Sequence, residues 1–284
     1  MAKHPHSASV DQPAPGQTLL HAHVAACTDI GRHRSHNEDN LLIFDLRRRS
    51  GQPAGKTVRA PLNHPGSLLA VADGMGGHSS GQVASQLCVE HLPEELLKVL
   101  PGEKASEADW TTALTRAVEA TNEFIYHTAQ KNSDYEGMGC TLTAALLTGP
   151  QAWIAQVGDS RAYLLRQGRY TQLTRDQTVA NTLQGPERDA LRQTPFEGML
   201  LQAMGPMESL NVVVTTTDLT PGDVLLLCSD GLYRVVPPER MQEILERSLP
   251  LQEKADTFIA LANEGGGPDN ITTILCQVRE GNGK

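Results

Sequence analysis

Short runs of branched and apolar residues punctuate the chain: His23 to Thr28, Leu41 to Leu46, Leu68 to Ala72, Thr141 to Leu147, Ala152 to Val157, Ala162 to Arg166, Val212 to Thr216, Val224 to Cys228 and Ile271 to Val278. Runs of this length bounded by Gly, Pro, Asp and Asn predict strands. Apolar positions at helical spacing, such as Leu114, Val118 and Ile125, predict helices over about Gly81 to Val99 and Glu107 to Gln130, with two more over Pro238 to Arg247 and Leu251 to Ala262. The helices come as consecutive pairs rather than one per strand. That order speaks against a β-α-β alternation and for a layered α+β sandwich, sheets inside and helix pairs outside.

Two segments break the pattern. Gly51 to Gly66, with Pro53, Gly55, Pro61 and Pro65, reads as a long surface hairpin loop, and the preceding Arg47-Arg48-Arg49 as a solvated strand end. Gln177 to Gly198, polar and carrying Gly185, Pro186 and Pro195, reads as a flap beside whatever site the strands build. Residues 1 to 20 read as a flexible arm, 21 to 280 as one domain and Gly281 to Lys284 as a tail.

Composition narrows the function. With 24 Lys+Arg against 33 Asp+Glu the chain carries a net charge of −9, and 4% aromatic residues leave few stacking platforms, so bulk nucleic-acid binding is disfavoured. No apolar run approaches the roughly 18 residues of a membrane span, and the Pro-rich N-terminus lacks a secretion signal's apolar core, so a cytoplasmic location is expected. Cys27, Cys88, Cys140, Cys228 and Cys276 form no C-x-x-C pair and read as buried reduced thiols.

The informative residues are carboxylates in glycine-rich turns beside strands: Asn37-Glu38-Asp39-Asn40, Asp73-Gly74-Met75-Gly76-Gly77-His78, Gly158-Asp159-Ser160-Arg161, Ser229-Asp230-Gly231 and Gly267-Pro268-Asp269-Asn270. A single Asp-Gly is an ordinary turn. Five at strand ends predict a convergent acidic site, which mutual repulsion forbids unless cations sit among the carboxylates. Mg²⁺ or Mn²⁺ suits oxygen ligands and can activate a water for attack on phosphorus. Zinc is disfavoured: four of the ten histidines, His4, His6, His21 and His23, lie in or next to the arm, and no H-E-x-x-H or Cys/His cluster occurs. A P-loop, a dinucleotide fingerprint and a G-x-S-x-G elbow are also lacking. Arg34 is the natural forked cation for a phosphate.

Six segments in order, Thr28-Asp29-Ile30-Gly31-x-x-Arg34-x-x-Asn37-Glu38-Asp39, Val71-Ala72-Asp73-Gly74-Met75-Gly76-Gly77-His78, Gly137-Met138-Gly139-Cys140-Thr141-Leu142-Thr143, Val157-Gly158-Asp159-Ser160-Arg161-Ala162-Tyr163, Leu227-Cys228-Ser229-Asp230-Gly231-Leu232 and Gly267-Pro268-Asp269-Asn270-Ile271-Thr272, resemble those of the metal-dependent serine/threonine protein phosphatases, the PPM or protein phosphatase type 2C-like family, in its compact bacterial form. The resemblance covers about residues 22 to 279. It implies a four-layer α-β-β-α sandwich, two central antiparallel sheets flanked by helix pairs. It implies that Asp73 bridges two ions, that the Gly74 carbonyl with Glu38 and Asp39 serves one, and that Asp230 and Asp269 hold the other. Asn37 and Asn270 would steady these ligands. Many bacterial members bind a third, weaker ion through the positions of Asp159 and Asp230.

The implied chemistry is direct attack of a metal-bridging water on phosphoserine or phosphothreonine, with Arg34 gripping the phosphate. Met75 stands where animal members carry a histidine, so His78 becomes the first candidate for proton donor and a metal-bound water the second. Gln82 replaces a frequent Glu, and the flap, about 176 to 205, is shortened and idiosyncratic. Expected partners are phosphorylated proteins, including a bacterial Ser/Thr kinase and its substrates, met by a monomer. Two other readings are a catalytically silent phosphoprotein binder, which should have lost a metal aspartate or the arginine, and a two-metal phosphodiesterase, which the acidic charge and motif order disfavour.

Overall fold

The structure, a computed structural model, describes residues 20–76, 80–191, 194, 196 and 198–281. The predicted arm and tail lie outside these residues, except Leu20 and Gly281. From the N-terminus run β1 (Leu20–Asp29), β2 (Asn40–Asp45), β3 (Ser50–Gly51), β4 (Val58–Pro61), β5 (Ser67–Ala72), β6 (Gly74–Met75), α1 (Ser80–Val99), α2 (Glu107–Lys131), β7 (Gly139–Cys140), β8 (Leu142–Thr148) and β9 (Gln151–Val157). There follow β10 (Arg161–Arg166), β11 (Arg169–Gln172), α3 (Pro186–Leu191), β12 (Val213–Asp218), β13 (Val224–Cys228), α4 (Asp230–Tyr233), α5 (Pro238–Glu246), α6 (Leu251–Glu264) and β14 (Ile271–Glu280).

Among the described residues the strands form two six-stranded antiparallel sheets, ordered β11-β10-β13-β14-β1-β4 and β12-β9-β8-β5-β2-β3, and a small ribbon of β6 with β7. Burial explains the layering. In β5, Leu69 and Val71 point into the core between the sheets, while Leu68, Ala70 and Ala72 point to the other face, against α1 and α2. Both faces are buried, which is why this strand reads as an unbroken apolar run. β14 does the same: Ile274, Cys276 and Val278 face the opposite sheet, and Ile271 and Leu275 pack with Phe258 and Ile244 of the second helix pair. The result is the expected α-β-β-α sandwich.

The helices form where the apolar stripe predicted them. α1 buries Ala84, Cys88, Leu92 and Leu96 at intervals of one turn. α2 starts at a capping box in which the Ser106 hydroxyl accepts from the Asp109 N–H and the Asp109 carboxylate accepts from the Ser106 N–H. No helix among the described residues is long and apolar enough to cross a membrane. The cysteines are free, with Cys27 half-buried and the other four buried.

The expected hairpin loop Gly51 to Gly66 is corrected in part. Its segment Val58–Pro61 crosses to the other sheet and pairs with β1, Val58 opposite Val24 and Pro61 opposite His21. As an edge strand carrying Arg59 and Pro61, it lacks the apolar run that marks an interior strand. The polar edge strand β11 escapes the pattern for the same reason. The Arg47 to Arg49 turn is capped by Asp45, whose Oδ1 accepts from the N–H groups of Arg47 and Arg48 at 3.0 Å.

Candidate active site

Strand register gathers the acidic turns. In one sheet Asn40 faces Ala72, Val71 faces Thr143 and Leu142 faces Val157, so the Glu38-Asp39, Asp73 and Asp159 turns leave the same end. In the other, Arg161 faces Cys228, Cys228 faces Thr273 and Asp29 faces Ile271, which places the Asp230 and Asp269 turns at the matching end. A cavity of about 490 Å³ opens there, lined by Arg34, Glu38, Asp73, Gly74, Asp159, Asp230, Asp269 and Asn270, with Met75 and the flap residues Gly198, Met199 and Leu200 at its side.

Side-chain hydroxyls and amides hold these turns together. Thr141 fixes the Asp73 backbone twice, its N–H donating to the Asp73 carbonyl at 2.8 Å and its Oγ1 accepting from the Asp73 N–H at 3.1 Å. The same Oγ1 lies 2.6 Å from Ser160 Oγ, next to Asp159. Asn270 Oδ1 accepts from the Glu38 N–H at 2.8 Å, and its Nδ2 donates to the Ile30 and His36 carbonyls at 2.9 and 3.0 Å. Asn37 donates to Thr28 Oγ1 at 2.9 Å and accepts from the Asp39 N–H at 3.2 Å. Both asparagines thus brace loops rather than enter the cavity as charges. Gln177, at the root of the flap, accepts from the Gly158 N–H at 2.7 Å.

Electrostatics follow from the crowding. Burial, then Asp39, Asp230, Asp159 and Asp269, push the Asp73 carboxyl well above the usual range. Asp39 is pushed up to about 7, chiefly by burial, with the Ser229 hydroxyl opposing. Asp230 is pushed up to about 6 by burial against the opposing pull of Arg234. Burial raises Asp159 and Glu38 as well. Asp230 raises the carboxyls of both Asp73 and Asp39, as crowded carboxylates do.

Whether this donor set suits a hard divalent ion can be judged at Asp39. Its Oδ2 accepts from Ser229 Oγ at 2.7 Å, but its Oδ1 is buried with no hydrogen-bond partner. A buried carboxylate oxygen without a donor is satisfied by a cation, and the surrounding ligands are all oxygens. The set fits Mn²⁺ or Mg²⁺. No three described His, Cys, Asp or Glu side chains stand close enough to cage an ion as they are. Two guanidinium groups pair with these acids: Arg34 Nη2 donates to Asp269 Oδ2 at 2.7 Å, and Arg234 contacts both Asp159 and Asp230.

The sequence reading placed Arg34, Glu38, Asp39, Asp73, Gly74, Asp159, Asp230 and Asp269 at one site, and the structure brings all of them to this end of the sandwich. His78 lies outside the described residues. Thr141, Ser160, Ser229, Tyr233 and Arg234 were not singled out. Arg234 carried a signal, its spacing of four residues from Asp230, and the other four sit in or directly after quoted motifs.

Paired antiparallel sheets flanked by helix pairs, with convergent aspartates and an arginine at one end, define a metal-dependent phosphohydrolase. The Protein phosphatase 2C family model matches residues 47–264. The chain belongs to that family. It is 38% identical over 259 residues to the serine/threonine phosphatase stp of Listeria monocytogenes, covering 90% of this chain and 95% of that one. The serine/threonine phosphatase of S. agalactiae superposes with a TM-score of 0.76 at 30% identity, over 90% of this chain and 99% of the other. The catalytic domain of the serine/threonine protein phosphatase PstP, solved with two manganese ions, gives a TM-score of 0.71 at 36% identity, over 92% of this chain and all of that one.

Proposed function

We propose that this chain is a Mn²⁺- or Mg²⁺-dependent phosphatase that hydrolyses phosphoserine and phosphothreonine in proteins. The observation that carries the reading is the convergence of Glu38, Asp39, Asp73, Asp159, Asp230 and Asp269, from five separate turns, around one cavity with Arg34 beside it. Asp73 is central, its carboxyl surrounded by the other acids, and is proposed to serve two ions; the Gly74 carbonyl, Glu38 and Asp39 would hold one, Asp230 and Asp269 the other. Bound divalent ions supply Lewis acidity and an activated water for attack on phosphorus.

The chain's own groups do the rest. Arg34 is half-exposed and held by one carboxylate, so its guanidinium can turn to two oxygens of an incoming phosphate. His78 is the proposed donor to the departing serine or threonine oxygen. Asn37 and Asn270 keep the Asp39 and Glu38 loops in place against the Asp269 turn. In the cell we place the chain in the cytoplasm, as a monomer opposing a Ser/Thr kinase.

The test is phosphate release from p-nitrophenyl phosphate and from a phosphothreonine peptide, with Mn²⁺, with EDTA, and with Asp73→Ala. Release should require the ion and fall to background in Asp73→Ala. Activity that survives EDTA or the substitution would sink the reading.

A further inference from the structure

Asp159 and Asp230 are the carboxylates that the family resemblance assigns to a third ion. In this chain an arginine already joins them. Arg234 follows α4; its Nε lies 2.8 Å from Asp230 Oδ2 in an ion pair, and its Nη2 donates to Asp159 Oδ2 at 3.2 Å. The guanidinium keeps its charge at any ordinary pH, so one positive group is shared by a buried and a partly buried acid.

The surroundings hold it there. Tyr233 OH donates to the Asp159 carbonyl at 3.0 Å and lies 3.2 Å from Asp159 Oδ2. The Tyr233 ring is covered by the Arg161 guanidinium at 3.6 Å, and Arg161 is itself fixed by two bonds to Asp176, at 2.9 and 2.6 Å. From the flap side Gly198 packs against Arg234: a Cβ at that position would come within 2.6 Å of Nη2 and 3.0 Å of Nη1. Arg34 differs, since Asp269 alone pairs with it among the described residues.

We propose that the Arg234 guanidinium is a resident cation in the place of the third divalent ion, neutralising the Asp159 and Asp230 pair from within the chain. The inference rests on the two-ion reading above and says that ion binding stops there. A dication brought to the same two carboxylates would meet Arg234 at contact distance, where like charges repel strongly.

The experiment counts ions on the whole protein, by equilibrium dialysis against Mn²⁺ into the millimolar range with elemental analysis, and by the paramagnetic resonance of free Mn²⁺. Wild type and the charge-keeping Arg234→Lys should saturate at two ions per chain. Arg234→Gln and Arg234→Ala should take up one more, weaker ion, and adding Asp159→Asn should remove it again. A third ion in wild type, or Arg234→Gln and Arg234→Ala stopping at two, would overturn the proposal. Should those variants fail to fold, the wild-type count alone decides. Wild type that binds no ion, or Asp73→Ala that keeps both, would instead overturn the phosphatase reading.

Discussion

Gly158 offers a quantitative test of how the site is assembled. It links β9 to the Asp159 turn with φ +94°, and a Cβ there would lie 2.8 Å from Thr141 Cγ2 and 2.9 Å from Thr141 Cβ. Thr141 has little room to retreat, because it bonds Asp73 from two sides and Ser160 from a third. In Gly158→Ala the positive φ costs about 1–2 kcal/mol and relieving the clash about 1–3 kcal/mol. Ordinary contact requires Thr141 and the Asp159 turn to part by roughly 0.5 Å. A shift of about 1 Å in a catalytic constellation costs on the order of 10²-fold, so about tenfold in kcat/KM is expected here. Gly149 provides the control: its φ is +58° and a Cβ there would have nothing within 4 Å. Gly149→Ala should lose the strain term alone and keep full activity. Urea unfolding and phosphopeptide kinetics on both variants read the two quantities. If Gly158→Ala loses no more stability than Gly149→Ala and keeps its kcat/KM, Thr141 does not couple Asp73 to the Asp159 turn.

Two further outcomes follow from the charges. Arg34→Ala should raise KM for a phosphopeptide by about 10- to 100-fold, the worth of a charge-assisted pair, while Mn²⁺ affinity holds or improves because Asp269 loses its competing guanidinium; an unchanged KM would assign Arg34 to Asp269 alone. Saturating Mn²⁺ at about 1,000 times its Kd should add about 4 kcal/mol of stability, or roughly 10 °C in Tm, and a Tm that ignores Mn²⁺ would contradict the proposed ligand set.

Most of the architecture was legible because this sandwich buries its central strands on both faces. Strands such as β5, β8 and β13 are buried throughout and made largely of apolar residues, so composition marks them. Edge strands such as β4 and β11 share only one buried face and stay polar to avoid pairing with other chains, which is why β4 read as loop and β11 gave no strand pattern. Within the site, the aspartates were legible because each stands in a polar turn at a strand end, with glycine adjacent at Asp73, Asp159 and Asp230. Their supports were not, since a threonine or serine that bonds a backbone group far away in sequence looks like any other. Thr141 acts on Asp73 across 68 positions and Ser229 on Asp39 across 190.

Arg234 shows the same limit on the charged side. Its spacing from Asp230 can be read locally, but its second partner, Asp159, is brought beside it only by the register that sets Arg161 opposite Cys228. That register divides the acids into two kinds. Asp159, Asp230 and Asp269 have guanidinium partners from the chain itself, whereas Asp39 keeps an unpartnered buried oxygen and Asp73, with no ion pair among the described residues, is crowded chiefly by other carboxylates. The need for external cations is therefore greatest on the Asp39 and Asp73 side of the cavity. Ion binding should be tightest where the chain supplies no counter-charge of its own, and weakest where Arg234 already does.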